Sequence, residues 1–117
     1  MKYLLTLTYR DGEGPEEGTP GFGAEMDRWE AVKRELREDG ALVGGTGLQV
    51  GAATTVRAPG GELVVTDGPY AETKEILFSF YVIDVEDLDA AIAVASKMPA
   101  TEYGSVSITP THGFELA

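Results

Sequence analysis

Cysteine and asparagine are absent from this 117-residue chain, histidine and tryptophan occur once each, and Lys plus Arg number only 9 against 20 Asp plus Glu. Without cysteine there is no disulfide, thiolate metal site, iron–sulfur cluster or cysteine nucleophile. Without asparagine there is no N-glycosylation acceptor. The formal charge of −11 repels phosphate backbones, and no Lys/Arg cluster offsets it, so nucleic acid and anionic membranes are not expected partners. One histidine leaves a metal site to carboxylates alone, and no EF-hand spacing occurs, so no metal or other cofactor is expected. Motifs of the GxSxG, HExxH and GK[ST] types are missing as well. No apolar run approaches the ~18–20 residues of a membrane span. The opening MKYLLTLTYRDG is interrupted by Thr6 and Thr8 and runs into Arg10-Asp11, which suits a strand better than a signal peptide. A cytoplasmic protein is expected.

What is present describes a globular protein. The hydrophobic fraction is 43%, and the length suits one domain over residues 1–117. Lys2–Tyr9 alternates Tyr3, Leu5, Leu7 and Tyr9 against Lys2, Leu4, Thr6 and Thr8, the period of a half-buried strand. Residues 10–22 (RDGEGPEEGTPGF) form a loop, and Thr19-Pro20 offers a helix start that Gly21 and Gly23 delay. The helix is predicted from about Ala24 to Asp39, with Met26, Trp29, Val32 and Leu36 on its apolar stripe. Residues 41–50 (ALVGGTGLQV) suggest an irregular strand with a bulge or a close backbone approach. Residues 54–57 and 62–66 flank a four-residue loop as a hairpin. Residues 76–83 (ILFSFYVI) are apolar on both faces, as in a central strand covered on both sides. Asp84 or Asp87 caps a second helix over about 88–97, with Leu88, Ala91, Ile92 and Ala95 on one face, and residues 105–109 alternate as a last strand.

The order β-α-β, hairpin, β-α-β predicts an α+β fold: a ferredoxin-like βαββαβ sheet with an added hairpin, both helices on one face. Thr6, Thr8, Ser79, Tyr81, Ser105 and Ser107 are then assigned to the other face, with apolar atoms from Leu4. A second copy packed face to face would cover the large side chains there, so a homodimer enclosing a space between two sheets is expected.

The segment DGPYAETKE (67–75) is the densest in chemistry. One reading is a rigid turn whose Asp67 accepts backbone N–H bonds while Glu72 and Glu75 are solvated. The other makes it the mouth of a ligand site. There Asp67 or Glu72 is the proton acceptor, Arg57 or Lys74 the anion anchor, and Tyr70 a ligand contact. His112 lies in the tail and is expected to be exposed.

The runs TVR (55–57), VTDGPYAETKE (65–75), FYVIDVEDLDAAIAVA (80–95) and Met98-Pro99 with Gly-Ser-Val-Ser-Ile (104–108) resemble the YCII-related family, specifically its DGPF branch. Tyr70 stands where the branch carries the phenylalanine of its name. The resemblance implies a ferredoxin-like protomer in a dimeric α/β barrel. Some members are thought to be enzymes using a His–Asp pair near the dimer cleft. This chain has no histidine before His112, and Phe78-Ser79 replaces the usual Gly-Gly, while Asp67 is retained. Members are often encoded beside extracytoplasmic-function sigma factors, which implies a signalling or accessory role as the alternative to small-molecule binding. For that role the acidic Glu13, Glu16 and Glu17 would face a basic partner.

Overall fold

A computed structural model describes residues 1–68 and 75–115; Tyr70, Glu72 and Lys74 of the DGPY segment lie outside them. The chain folds as β1 (Lys2–Arg10), α1 (Pro20–Glu38), β2 (Leu42–Gly47), β3 (Thr54–Arg57), β4 (Val64–Asp67), β5 (Glu75–Asp84), α2 (Leu88–Ser96) and β6 (Gly104–Pro110). Four strands form an antiparallel sheet in the order β2-β5-β1-β6, and β3 and β4 pair as a sheet of their own. This is the split βαβ connectivity of an α+β fold with a hairpin inserted before its third sheet strand.

The alternation in β1 decides which face is covered. Tyr3, Leu5 and Leu7 are buried in one core with Trp29, Val32 and Leu36 of α1, Ala91 of α2, and Met98 and Ala100 beyond it. Opposite Leu5 stand Tyr81 of β5 and Ile108 of β6; opposite Leu7 stand Ser79 and Val106. Residues paired across an antiparallel ladder share a face, so Ser79 and Tyr81 belong to the helix-covered side, where both are buried. That corrects their assignment to the other face. The cause is the nearly uniform apolar character of β5, which offers no sign of which residues point inward. A bulge adds to it: the β1–β5 register shifts between Leu7 and Thr8, which pair with Ser79 and Leu77 and leave Phe78 as the extra residue. Ser79 settles by donating its hydroxyl to the Thr46 carbonyl at 3.0 Å.

Both helices begin on side-chain caps. Thr19 Oγ1 accepts from the Phe22 amide and Asp87 from the Ala90 amide. Proline at the first helical position outweighs Gly21 and Gly23, so α1 starts at Pro20, four residues before its expected entry. The buried residues of α1 are Glu25, Trp29, Val32 and Leu36. Met26, expected on this stripe, is instead 37% exposed. In α2, Ala91 and Ala95 pack inward while Leu88 and Ile92 remain exposed, which corrects the four-residue face expected there. Small residues let α2 lie close to the sheet.

Glycine matters at two strand crossings. A Cβ on Gly45 would meet the Phe80 carbonyl and the Tyr81 ring, and one on Gly104 would run into the Thr8 carbonyl. Gly45 follows the register shift in β2, which is the close backbone approach expected of this irregular strand.

The second face carries Leu4, Thr6, Thr8, Leu77, Phe80, Val82, Ser105, Ser107 and Thr109, paired by the same register. No helix covers it. Leu77 is 45% exposed, and the hairpin adds Val56, Val64 and Val65 as exposed apolar residues. The accessible surface of the chain is 8012 Å2, against roughly 6,100 Å2 from the size scaling of folded monomers of this mass. The radius of gyration is 16.1 Å, whereas a compact domain of this length has about 13 Å.

Candidate functional site

Asp67 closes β4 opposite Thr54, the first residue of β3, and is exposed. The corner after it is pinned from both sides. Gly68, at φ +102°, donates its amide to the Ala53 carbonyl at 2.7 Å and accepts the Thr55 hydroxyl at 2.6 Å. A positive φ suits glycine there. Arg57 ends the other strand, opposite Val64. It is therefore three rungs from Asp67, about 10 Å along the strand, and on the opposite face of the hairpin. Asp67 and Arg57 of one chain do not converge. Tyr70, Glu72 and Lys74 lie outside the described residues. His112 is exposed in the tail, beside Thr111, whose hydroxyl donates to the Lys2 carbonyl.

A second constellation lies on the covered side, at the end of the sheet where β1 finishes and β5 and β6 begin. Its centre is Glu25, 8% exposed. The Trp29 indole N–H donates to Glu25 Oε2 at 3.2 Å, one helical turn away, and the Tyr103 hydroxyl donates to the same oxygen at 3.0 Å. Burial first, and the neighbouring Glu25 carboxylate second, push the Tyr103 pKa well above the ordinary tyrosine value, so the phenol stays a donor. The Phe78 ring, turned to this side by the bulge, meets Trp29 edge-on at 6.4 Å and Tyr9 edge-on at 5.3 Å. Gly14, in the loop before α1, passes against the Tyr103 ring, where a Cβ would sit 3.0 Å from Cε2. Arg28 forks onto Glu102 at 2.9 and 2.6 Å. The hydrogen bond raises the guanidinium's pKa and lowers the carboxylate's.

Sequence reasoning missed Glu25 because an apolar stripe is sought in apolar residues, and Met26 fitted the spacing. The signal that pointed to it was Trp29: a buried indole N–H needs an acceptor, and a glutamate one turn earlier supplies it. Among the described residues no group of three or more His, Asp or Glu side chains is placed to hold a metal ion. Between α1 and α2 a depression of about 40 Å3 is lined by Val32, Leu36 and Val94 with Glu35, Asp39 and Lys97. That is too small for a metabolite. No helix among the described residues is long and apolar enough to cross a membrane.

Comparison with known proteins places this geometry. An uncharacterised protein of Rhizobium meliloti (strain 1021) is 42% identical over 85 residues, which cover 68% of this chain and 67% of that protein. Among solved structures, a 5-chloro-2-hydroxyhydroquinone dehydrochlorinase from Burkholderia phenoliruptrix AC1100, in complex with 2,5-dihydroxybenzoquinone, superposes with a TM-score of 0.50. It covers 96% of this chain and 94% of that one at 16% identity, a likeness of fold. The model of the YCII-related domain matches residues 1–115, and the chain belongs to the YCII-related family.

Proposed function

We propose that two copies of this chain pack through the bare faces of their four-stranded sheets into an α/β barrel, and that the barrel binds a small molecule beside the Asp67 corner. The observation that carries the reading is the uncovered face. Leu4, Leu77, Phe80 and Val82 lie on the side away from both helices, and the surface exceeds that of a monomer of this mass by about 1,900 Å2. A standard interface takes roughly 800 Å2 from each partner, less than this excess, so the area supports such a pairing. Thr6, Thr8, Ser105 and Ser107 on the same face would line the enclosed space with hydroxyls; Thr8 and Ser105 already share a 2.9 Å hydrogen bond.

In this reading Asp67 accepts a proton or hydrogen bond from the ligand at the rim, as the DGPF-type sequence around it implies. Tyr70, Glu72 and Lys74 complete the contacts. Arg57 faces away from Asp67 within one copy and enters only as a contact from the other. The dehydrochlorinase of similar fold holds a dihydroxylated quinone, a precedent for a small oxygenated ring in this architecture. Asp67→Asn should keep the dimer and abolish stabilisation by metabolites that raise the melting temperature of the unaltered protein. Loss of the dimer or of the fold would make Asp67 a structural residue. Recovery of a basic protein partner, weakened by salt and indifferent to Asp67, would favour an accessory role instead.

A further inference from the structure

From Gly45 to Asp67 no residue is buried, and only Thr55 is half-buried. The composition is not that of a solvated loop. This stretch holds six of the eleven exposed large hydrophobic side chains among the described residues, and Val56, Leu63 and Val65 are each more than half exposed. Nor is it irregular: β3 and β4 pair over four rungs, from Thr54 opposite Asp67 to Arg57 opposite Val64. Val56 and Val65 stand directly opposite each other, and alternation puts Thr54 and Asp67 on the same face. The Gly68 amide ties the base to the Ala53 carbonyl, and the Gly61 amide ties the tip to the Ala58 carbonyl. A two-stranded ribbon without a third strand or a helix against it is nevertheless marginal in water. An ordered hairpin with its valines uncovered needs a surface from outside its own chain.

The charge pattern points to the kind of surface. Residues 41–66 carry one positive charge, Arg57, and one negative charge, Glu62, so the rest of the chain holds the whole formal charge of −11. A basic partner would be drawn to that acidic remainder rather than to a neutral apolar ribbon. A second copy of this chain is repelled by the remainder and approaches closely only where charge is absent. Interface cores are depleted of charged residues in the same way. Area allows it as well. The excess surface of about 1,900 Å2 is more than twice the roughly 800 Å2 that one standard interface takes, so pairing of the sheets does not exhaust it.

We infer that the β3–β4 hairpin is an arm: in each copy it packs its Val56 and Val65 face against the other copy, so that the Asp67 corner at its base is built from two chains. This rests on the pairing through bare sheets proposed above and adds a separable contact to it. Hydrogen exchange of the backbone amides reads the arm directly. In the unaltered protein, at a concentration where light scattering gives the double mass, the amides of 54–57 and 64–67 should be protected. Single chains are made with Phe80→Lys on the bare sheet face or, should that variant not fold, by dilution of the unaltered protein. There the hairpin amides should exchange at least about tenfold faster, the effect of uncovering one valine, while those of β1 stay protected. Val56→Thr with Val65→Thr keeps the strand preference and should leave the circular dichroism unchanged. It should nonetheless raise the dissociation constant of the dimer at least about tenfold. Hairpin amides that are open in the dimer, hairpin amides equally protected in both states, or an unchanged dissociation constant in the double variant would each overturn the arm and leave the paired sheets standing. A single-chain mass for the unaltered protein would overturn the pairing itself, and the arm with it.

Discussion

The two faces of the central sheet are made by the same strands and end in opposite conditions. One side of β1 gives Leu5 and Leu7, wholly buried beneath α1 and its neighbours. The other gives Leu4, Thr6 and Thr8, half-buried with no helix over them. The covered face is finished by local means: caps that start both helices, small residues in α2, a bulge that turns Phe78 toward Trp29, and two neutral donors on Glu25. The bare face has no such completion within one chain. The separate hairpin also leaves apolar residues uncovered: Val56 is 60% and Val65 56% exposed. An uncovered apolar surface of this kind is what the proposed pairing of two copies would bury.

Substitutions at adjacent residues set the faces against each other. Leu5→Ala removes a fully buried side chain from the core and should cost about 2–5 kcal/mol in urea denaturation. Leu4→Ala, one residue away, should cost less than about 1 kcal/mol at protein concentrations low enough to keep copies apart. That cost should grow with concentration, because association stabilises only the folded chain. Equal, concentration-independent losses at both positions would remove the distinction between the faces.

A smaller effect sharpens the covered side at its rim. The folded-state pKa of Tyr103 is raised, so its contribution to stability is fully present below the ordinary tyrosine value of about 10 and is lost only as the pH rises beyond it. In a spectrophotometric alkaline titration of the native protein, Tyr103 should ionise above the ordinary tyrosine range, as a late component. Tyr103→Phe should remove that late component. Absence of a late component in the unaltered protein would mean that water reaches Tyr103 and the Glu25 cluster freely.

Much of this architecture is legible in the residues alone. Alternation in β1 and β6, the Thr19-Pro20 and Asp87 starts, and the hairpin flanking Pro59-Gly60-Gly61 all carry local signals strong enough to place the elements and their order. What is not legible depends on contacts between elements. An all-apolar β5 does not say which side faces the helices, so Ser79 and Tyr81 are misassigned until the pairing with Leu7 and Leu5 is known. Met26 and Glu25 both lie about one turn from Trp29 on α1, and the acidic one is the residue that meets the Trp29 indole and the Tyr103 hydroxyl arriving from the far end of the chain. The local residue pattern that marked Asp67 and Arg57 does not reveal that a four-rung hairpin puts them on opposite faces.

Mass in solution tests the uncovered face most directly. Light scattering on the eluting protein at micromolar concentration should give twice the chain mass of 12.4 kDa. In Phe80→Lys, a charge midway across the bare face opposite Thr6 and Thr46, the mass should fall to that of one chain while the circular dichroism is retained, since an unpaired buried charge weakens association by about a hundredfold or more. A single-chain mass for the unaltered protein, stable and monodisperse at that concentration, would contradict it.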